Sequence, residues 1–194
     1  MIKIITKVSQ IIADFLIKEN IISKEYRDTY IYGFELCISS VISFVFVVLI
    51  AIITRMYIEC TTFYIVFCVT RLFCGGYHAD TYLRCKIMFS AVLLIELLIF
   101  QLINNLGFLY WVILYLFSST IICNFSPVEN SNKKLTLKDK RKARRITFVL
   151  LFLWLLIMVV IFIYNLSYQI IPLTLLSVAV LMLLGIIKER RKSR

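Results

Sequence analysis

Residues 138–164 read KDKRKARRITFVLLFLWLLIMVVIFIY, six Lys or Arg and one Asp in eight residues, then nineteen residues without a charge. At a helical rise of 1.5 Å per residue, Ile146–Tyr164 reaches about 28 Å, close to the thickness of a bilayer's hydrocarbon core. The stretch therefore reads as a membrane span entered through a basic collar. Leu36–Ile53, Leu106–Cys123 and Ile170–Ile187 repeat the pattern of a long uncharged apolar run. Ile58–Phe73 is shorter and starts beside Glu59, and Ile87–Ile103 contains Glu96 and Gln101, so each of these two either spans or re-enters. The whole chain agrees. Of its 194 residues, 61% are hydrophobic and 17% charged, against roughly 45–50% and about 25% in soluble domains, and its mean hydropathy is +0.92. The expected fold is an all-α membrane protein of about six transmembrane helices, forming a single domain over residues 1–194.

The net charge of +11 is explained by topology before it asks for nucleic acid. With six spans, all but one of the 22 Lys and Arg fall in the N-terminal arm, the second and fourth connections and the tail; Arg55 is the exception. The positive-inside bias then places both ends of the chain in the cytoplasm, and no nucleic-acid partner is expected. Residues 1–28 form an arm in which Ile4, Ile5, Val8, Ile11, Ile12 and Phe15 recur at helical spacing between Lys3, Lys7, Asp14 and Lys18. That pattern predicts an amphipathic helix lying at the interface, contacting membrane lipids. Without an uninterrupted apolar core or a small-residue cleavage site, the arm is expected to be retained. The fourth connection, 124–145, is the one long loop, opening with turn formers around Pro127 and closing on the basic run.

Hydropathy leaves one region unexplained, the second connection with its flanks, residues 71–86, RLFCGGYHADTYLRCK. It holds His78, the single histidine of the chain, two of the six cysteines, and two of the five glycines. A nucleophilic cysteine needs a base, and imidazole suits that task near neutral pH. Cys85 is the better nucleophile candidate, because positive potential from Arg84 and Lys86 favours an anion there. In one straight helix, residues 78 and 85 would lie about 10.5 Å apart along the axis, whereas a base must come within roughly 3 Å of its proton. A turn at Gly75 and Gly76 resolves this and can bring backbone N–H groups towards an oxyanion.

Other readings stand beside the dyad. A loop with one His and two Cys is commonly only a loop, and a glycine pair equally serves helix packing. Cys74, His78 and Cys85 with Asp80 would make a metal set, but the paired C-x2-C spacing of structural zinc sites is missing. No metal or other cofactor is expected. Cys37, Cys60, Cys68 and Cys123 sit in apolar runs and read as small core residues. Asp80, Glu35 and Glu129 are all open as the group orienting His78. Glu96 is an ionisable residue in mid-span, a functional candidate by default or a hydrogen-bond partner of Gln101 or a neighbouring helix. A small transporter or scaffold using Glu96 is thus the non-enzymatic alternative.

At these residues the sequence resembles the AgrB family of bacterial membrane endopeptidases. The family pattern R-x3-G-G-x-H-A, followed after five residues by C, is met by Arg71, Gly75, Gly76, His78, Ala79 and Cys85. A second pattern, P-x-[DE]-x-x-N-[KR], is met by Pro127, Glu129, Asn132 and Lys133. The resemblance implies a cysteine endopeptidase of the cell membrane that removes the C-terminal tail of a short AgrD-like propeptide through an acyl-enzyme thioester. Cyclisation to a thiolactone signal for quorum sensing would follow. It further implies Cys85 as nucleophile and His78 as general base and then acid. Gly75, Gly76 and Arg71 would shape the site or its oxyanion hole, with Glu129, Lys133 and Lys134 on the substrate's side and a homodimer as the assembly.

Overall fold

The computed structural model describes residues 2–75, 82–103, 105–128 and 136–192. Seven α-helices follow one another: α1 (Ile2–Lys18), α2 (Arg27–Thr54), α3 (Tyr57–Cys74), α4 (Tyr82–Ile103), α5 (Phe108–Phe125), α6 (Leu137–Ile163) and α7 (Ile170–Lys192). A short 3-10 turn, Lys24–Tyr26, joins α1 to α2. Six helices, α2 to α7, are long and apolar enough to cross a membrane, including the two weaker stretches. Because successive spans alternate in direction, α3 and α5 end where α4 and α6 begin. That end of the bundle carries most of the described Lys and Arg and is called the basic end below.

The spans stop where the chemistry of the chain changes. α2 ends on Arg55 in the left-handed conformation, φ 58°, and α6 ends before Asn165, φ 53°. The N-terminus of α6 is capped by Thr136, whose hydroxyl oxygen accepts from Asp139 N at 3.2 Å while its O–H donates to Asp139 Oδ2 at 2.7 Å. Pro172 lies in the first turn of α7, where a missing N–H forfeits no helical hydrogen bond.

α7 is the hub. Ile171, Leu175, Val178, Ala179 and Met182 are fully buried, and the helix packs most extensively against α5 and α3. Phe63 and Phe67 of α3 meet Phe89 of α4 with ring centroids 5.4 and 5.3 Å away. At the opposite end from the basic one, Phe108, Phe162 and Tyr168 stack together, and Ser167 Oγ donates to the Glu59 carboxylate. The outward faces of the spans are lined by large apolar side chains such as Phe44, Ile53, Leu102 and Phe152, as expected of a surface whose solvent is lipid.

Two sequence expectations need correcting. Cys60 is buried and Cys123 half-buried, but Cys37 and Cys68 lie exposed on the outside of the bundle. Lipid accepts a small apolar group as readily as a protein core does, so an apolar run does not say which way a cysteine faces. α1 does form, yet the line that packs against the protein is Ile5, Ser9 and Ala13, while Val8, Ile11 and Phe15 are exposed. The small residues Ser9 and Ala13, one turn apart, let α1 lie close along α2, its main neighbour. The larger stripe is left for the membrane surface.

Candidate functional site

The site is built where α3 and α5 end and α4 begins. α3 ends at Cys74, and Gly75 N donates to Arg71 O at 3.1 Å to close its last turn. Gly75 then takes φ 72° and ψ −152°, a region that only glycine enters without strain. A main-chain bond from Val128 N to Cys74 O, 2.9 Å long, pairs this turn with the segment that follows α5 as a parallel bridge between Gly75 and Val128. A Cβ at residue 75 would stand 2.4 Å from Val128 O. Glycine is therefore required here for both conformation and room. The chain reaches Val128 through Ser126 and Pro127, joined by a cis peptide bond.

Beneath the bridge lies a buried hydroxyl and thiol cluster that the sequence did not single out. Thr147 Oγ1 donates to Ala143 O at 3.0 Å, Ser126 Oγ lies 3.2 Å from Thr147 Oγ1, and Cys74 Sγ lies 3.7 Å from it. A threonine has one hydroxyl hydrogen and two lone pairs. With that hydrogen committed to Ala143, Ser126 and Cys74 must be the donors, and all three groups are satisfied. One turn away, Arg144 Nε donates to Ser126 O at 3.1 Å, and further along the same helix pair Trp154 Nε1 donates to Thr70 Oγ1 at 3.0 Å. α6 is thus fastened both to α3 and to the corner after α5. The signal that could have found this cluster is the polarity of Thr70 and Thr147 inside apolar spans.

Cys85 sits in the first turn of α4, half-buried, at the helix end where backbone N–H groups face outward. Arg71, half-buried on the last turn of α3, interacts electrostatically with Cys85. Its guanidinium carbon lies 5.4 Å from the centroid of the Phe67 ring, which holds the side chain along α3. Lys86, next to Cys85, has its ammonium nitrogen buried and without a hydrogen-bond partner among the described residues. An anion forming at Cys85 therefore meets cations from α3 and α4 together with the amide end of α4.

The structure thus brings Arg71, Gly75 and Cys85 to one end of the bundle. Gly76, His78, Asp80, Glu129, Lys133 and Lys134 lie outside the described residues. Glu35 is half-buried near the start of α2. Glu96, 2% exposed, accepts from Thr174 Oγ1 of α7 at 2.9 Å, so its partner is the neighbouring helix; Gln101 Nε2 instead donates to Met56 Sδ at 3.5 Å. Next to the bridge, a recess of about 230 Å³ is lined by Phe125, Ser126, Pro127, Lys140, Arg141 and Arg144. Its cations make it suited to acidic groups.

Comparison with known proteins identifies the family of the chain. The family model described as Accessory gene regulator B matches residues 9–186. An AgrB-like protein of Clostridium perfringens strain SM101 is 22% identical over 187 residues, covering 90% of this chain and 86% of the relative. AgrB-like protein 1 of Clostridium perfringens strain 13 is 33% identical over 135 residues, 69% of this chain and 71% of its own. AgrB-like protein 2 of the same strain is 21% identical over 183 residues, 90% and 86% of the two chains. These names go no further than likeness to one family. No solved structure matches the chain. A family match running from within α1 to near the end of α7, over six spanning helices, makes this a multi-pass membrane protein that belongs to the accessory gene regulator B family.

Proposed function

We propose that the chain is a membrane-embedded cysteine endopeptidase that removes the C-terminal tail of a short AgrD-like propeptide. The observation that carries this reading is the main-chain bridge between Gly75 and Val128. It joins the two segments that carry the family's patterns, at the end of the bundle where α4 presents Cys85. Cys85 Sγ attacks the scissile carbonyl carbon, with His78 taking the thiol proton. The C–N bond breaks, His78 returns that proton to the leaving amine, and the rest of the peptide stays on Cys85 as a thioester. A thiol of the peptide then attacks this carbonyl, which releases a cyclic thiolactone and returns the proton to the Cys85 sulfur. Gly75 and Gly76 shape the turn that holds the carbonyl, and Arg71 steadies the negative charge.

The basic surroundings support an acidic tail. Glu129, Lys133 and Lys134 border the recess-forming corner in sequence and are the proposed contacts of the substrate, with Lys140, Arg141 and Arg144 extending the same field. The positive-inside bias puts this end of the bundle, and both ends of the chain, on the cytoplasmic side of a bacterial cell membrane. A homodimer is the proposed assembly. Glu96 is less suited to act as the polar site of a transporter or scaffold, since it is buried against Thr174 and ties α4 to α7.

The test is mass spectrometry of a candidate propeptide, encoded by a short reading frame beside the gene, co-expressed with wild type, Cys85→Ala and His78→Ala. Tail release by wild type alone, with a peptide adduct on Cys85, supports the peptidase. Release that survives Cys85→Ala overturns it.

A further inference from the structure

The ammonium of Lys86 is anomalous. A lysine near the end of a membrane span ordinarily extends its four-carbon stem so that the charge reaches water. Here the nitrogen is buried and has no hydrogen-bond partner among the described residues, although the residue as a whole is only half-buried. Burying an unpaired ammonium is costly unless an anion is brought to it. Lys86 follows Cys85 directly on the first turns of α4 and interacts with it electrostatically.

We propose that Lys86 is a specificity-determining residue, whose ammonium pairs with a carboxylate side chain of the peptide within one or two residues of the bond that Cys85 attacks. This rests on the peptidase reading. The distance limit follows from the chain itself: successive Cα atoms are 3.8 Å apart, so only residues flanking the scissile bond come near a side chain adjoining the nucleophile. A carboxylate is favoured over the transient oxyanion because it pairs with the ammonium from the moment the peptide binds. An oxyanion would leave the buried charge unpaired both in the resting enzyme and in the bound complex. Arg71, carried by α3 rather than α4 and stacked along Phe67, is the cation left to serve the reacting carbonyl. The two cations therefore divide the work, Lys86 binding a fixed negative charge and Arg71 facing the developing one.

The test uses the full-length protein in its own membranes and the neighbouring propeptide, alongside versions in which each Asp or Glu flanking the cleaved bond is replaced by Asn or Gln. Wild type is expected to prefer one carboxylate peptide over its amide counterpart by roughly thirtyfold or more in kcat/KM, expressed in KM. Lys86→Met should collapse that preference to within about threefold, and Lys86→Arg should restore most of it. A preference unchanged in Lys86→Met overturns the inference. So does an equal loss on both peptides, which marks a structural role, and so does a fall in kcat that ignores peptide charge, which marks an oxyanion contact. Failure of the peptidase reading looks different: wild type cleaves none of the peptides, or Cys85→Ala still cleaves them.

Discussion

At Gly75 the energetic argument rests on one residue. Its φ and ψ exclude an L side chain, and a Cβ would meet the carbonyl oxygen of Val128, the residue whose N–H bonds to Cys74. Gly75→Ala is expected to lose the bridge at a cost of about 1–3 kcal/mol from the backbone conformation alone. Propeptide processing should fall by at least tenfold, with the protein still inserted in the membrane and normal in amount. Thr147 offers a second test from below. Thr147→Val keeps the shape but leaves the Ser126 and Cys74 donors without their acceptor inside the bundle. A loss of about 1–3 kcal/mol is expected for such a buried unsatisfied group, while Thr147→Ser retains the hydroxyl and should behave nearly as wild type. Thermal unfolding in detergent, followed by intrinsic fluorescence, separates the two variants. Of these residues Gly75 and Cys74 stood out in the sequence, one in a glycine pair beside His78 and the other as a cysteine of the same segment. Thr147 and Ser126 did not, because a lone hydroxyl carries no periodicity, and the partners of Thr147 lie 21 and 73 residues away.

Among the elements, α1 differs most from its sequence pattern. Apolar letters marked Ile4, Ile5, Val8, Ile11, Ile12 and Phe15 as one stripe, but packing against α2 takes Ile5 together with the small Ser9 and Ala13 and leaves Val8, Ile11 and Phe15 exposed. One clasp closes the pair: Arg27 Nε donates to Asp14 Oδ1 at 2.7 Å and Arg27 Nη2 to Asp14 Oδ2 at 3.1 Å. This bidentate bond to the guanidinium holds the Asp14 carboxyl below its ordinary value. A depressed folded-state value means that the clasp contributes fully above the ordinary carboxylate range, near about pH 4. The contribution fades as pH falls through the lower value of the folded state. α1 should therefore stay docked at neutral and mildly acidic pH and loosen only in stronger acid. Asp14→Asn should weaken docking at neutral and mildly acidic pH, match wild type in strong acid, and so remove that acid dependence. Hydrogen exchange of α1 amides, measured from pH 7 downward and corrected for intrinsic rates, checks both. Because the pair is exposed, raised salt should mimic part of the substitution.

Across the whole molecule, hydropathy made six spans readable because every crossing needs about 20 apolar residues whatever its neighbours are. The same property hid the arrangement of the spans. α7 and α2 both read as uncharged apolar runs, yet α7 is packed at the centre while α2 shows Phe44, Leu49 and Ile53 to the outside. Lipid and a protein interior are similar solvents for a leucine, so only the packed structure tells a hub from a perimeter helix. Charge supplies the orientation that hydropathy lacks. The spans alternate, so an even number returns the chain to the side from which it set out, and the basic residues concentrate on that side. Arg55 is the exception, and it occupies the left-handed position that ends α2 at the opposite end. If positive charge keeps the basic end in the cytoplasm, a cysteine replacing Asn105, exposed between α4 and α5, should react with a membrane-impermeant maleimide in intact cells. A cysteine replacing Ser23, exposed just before α2, should react only after permeabilisation, each scored against the parent with its native cysteines. Labelling of both positions in intact cells would mean that an even number of helices crosses between them. The short span Tyr57–Cys74 would then be the first suspect for re-entry, which would leave Cys85 on the cytoplasmic side but put the N-terminal arm outside.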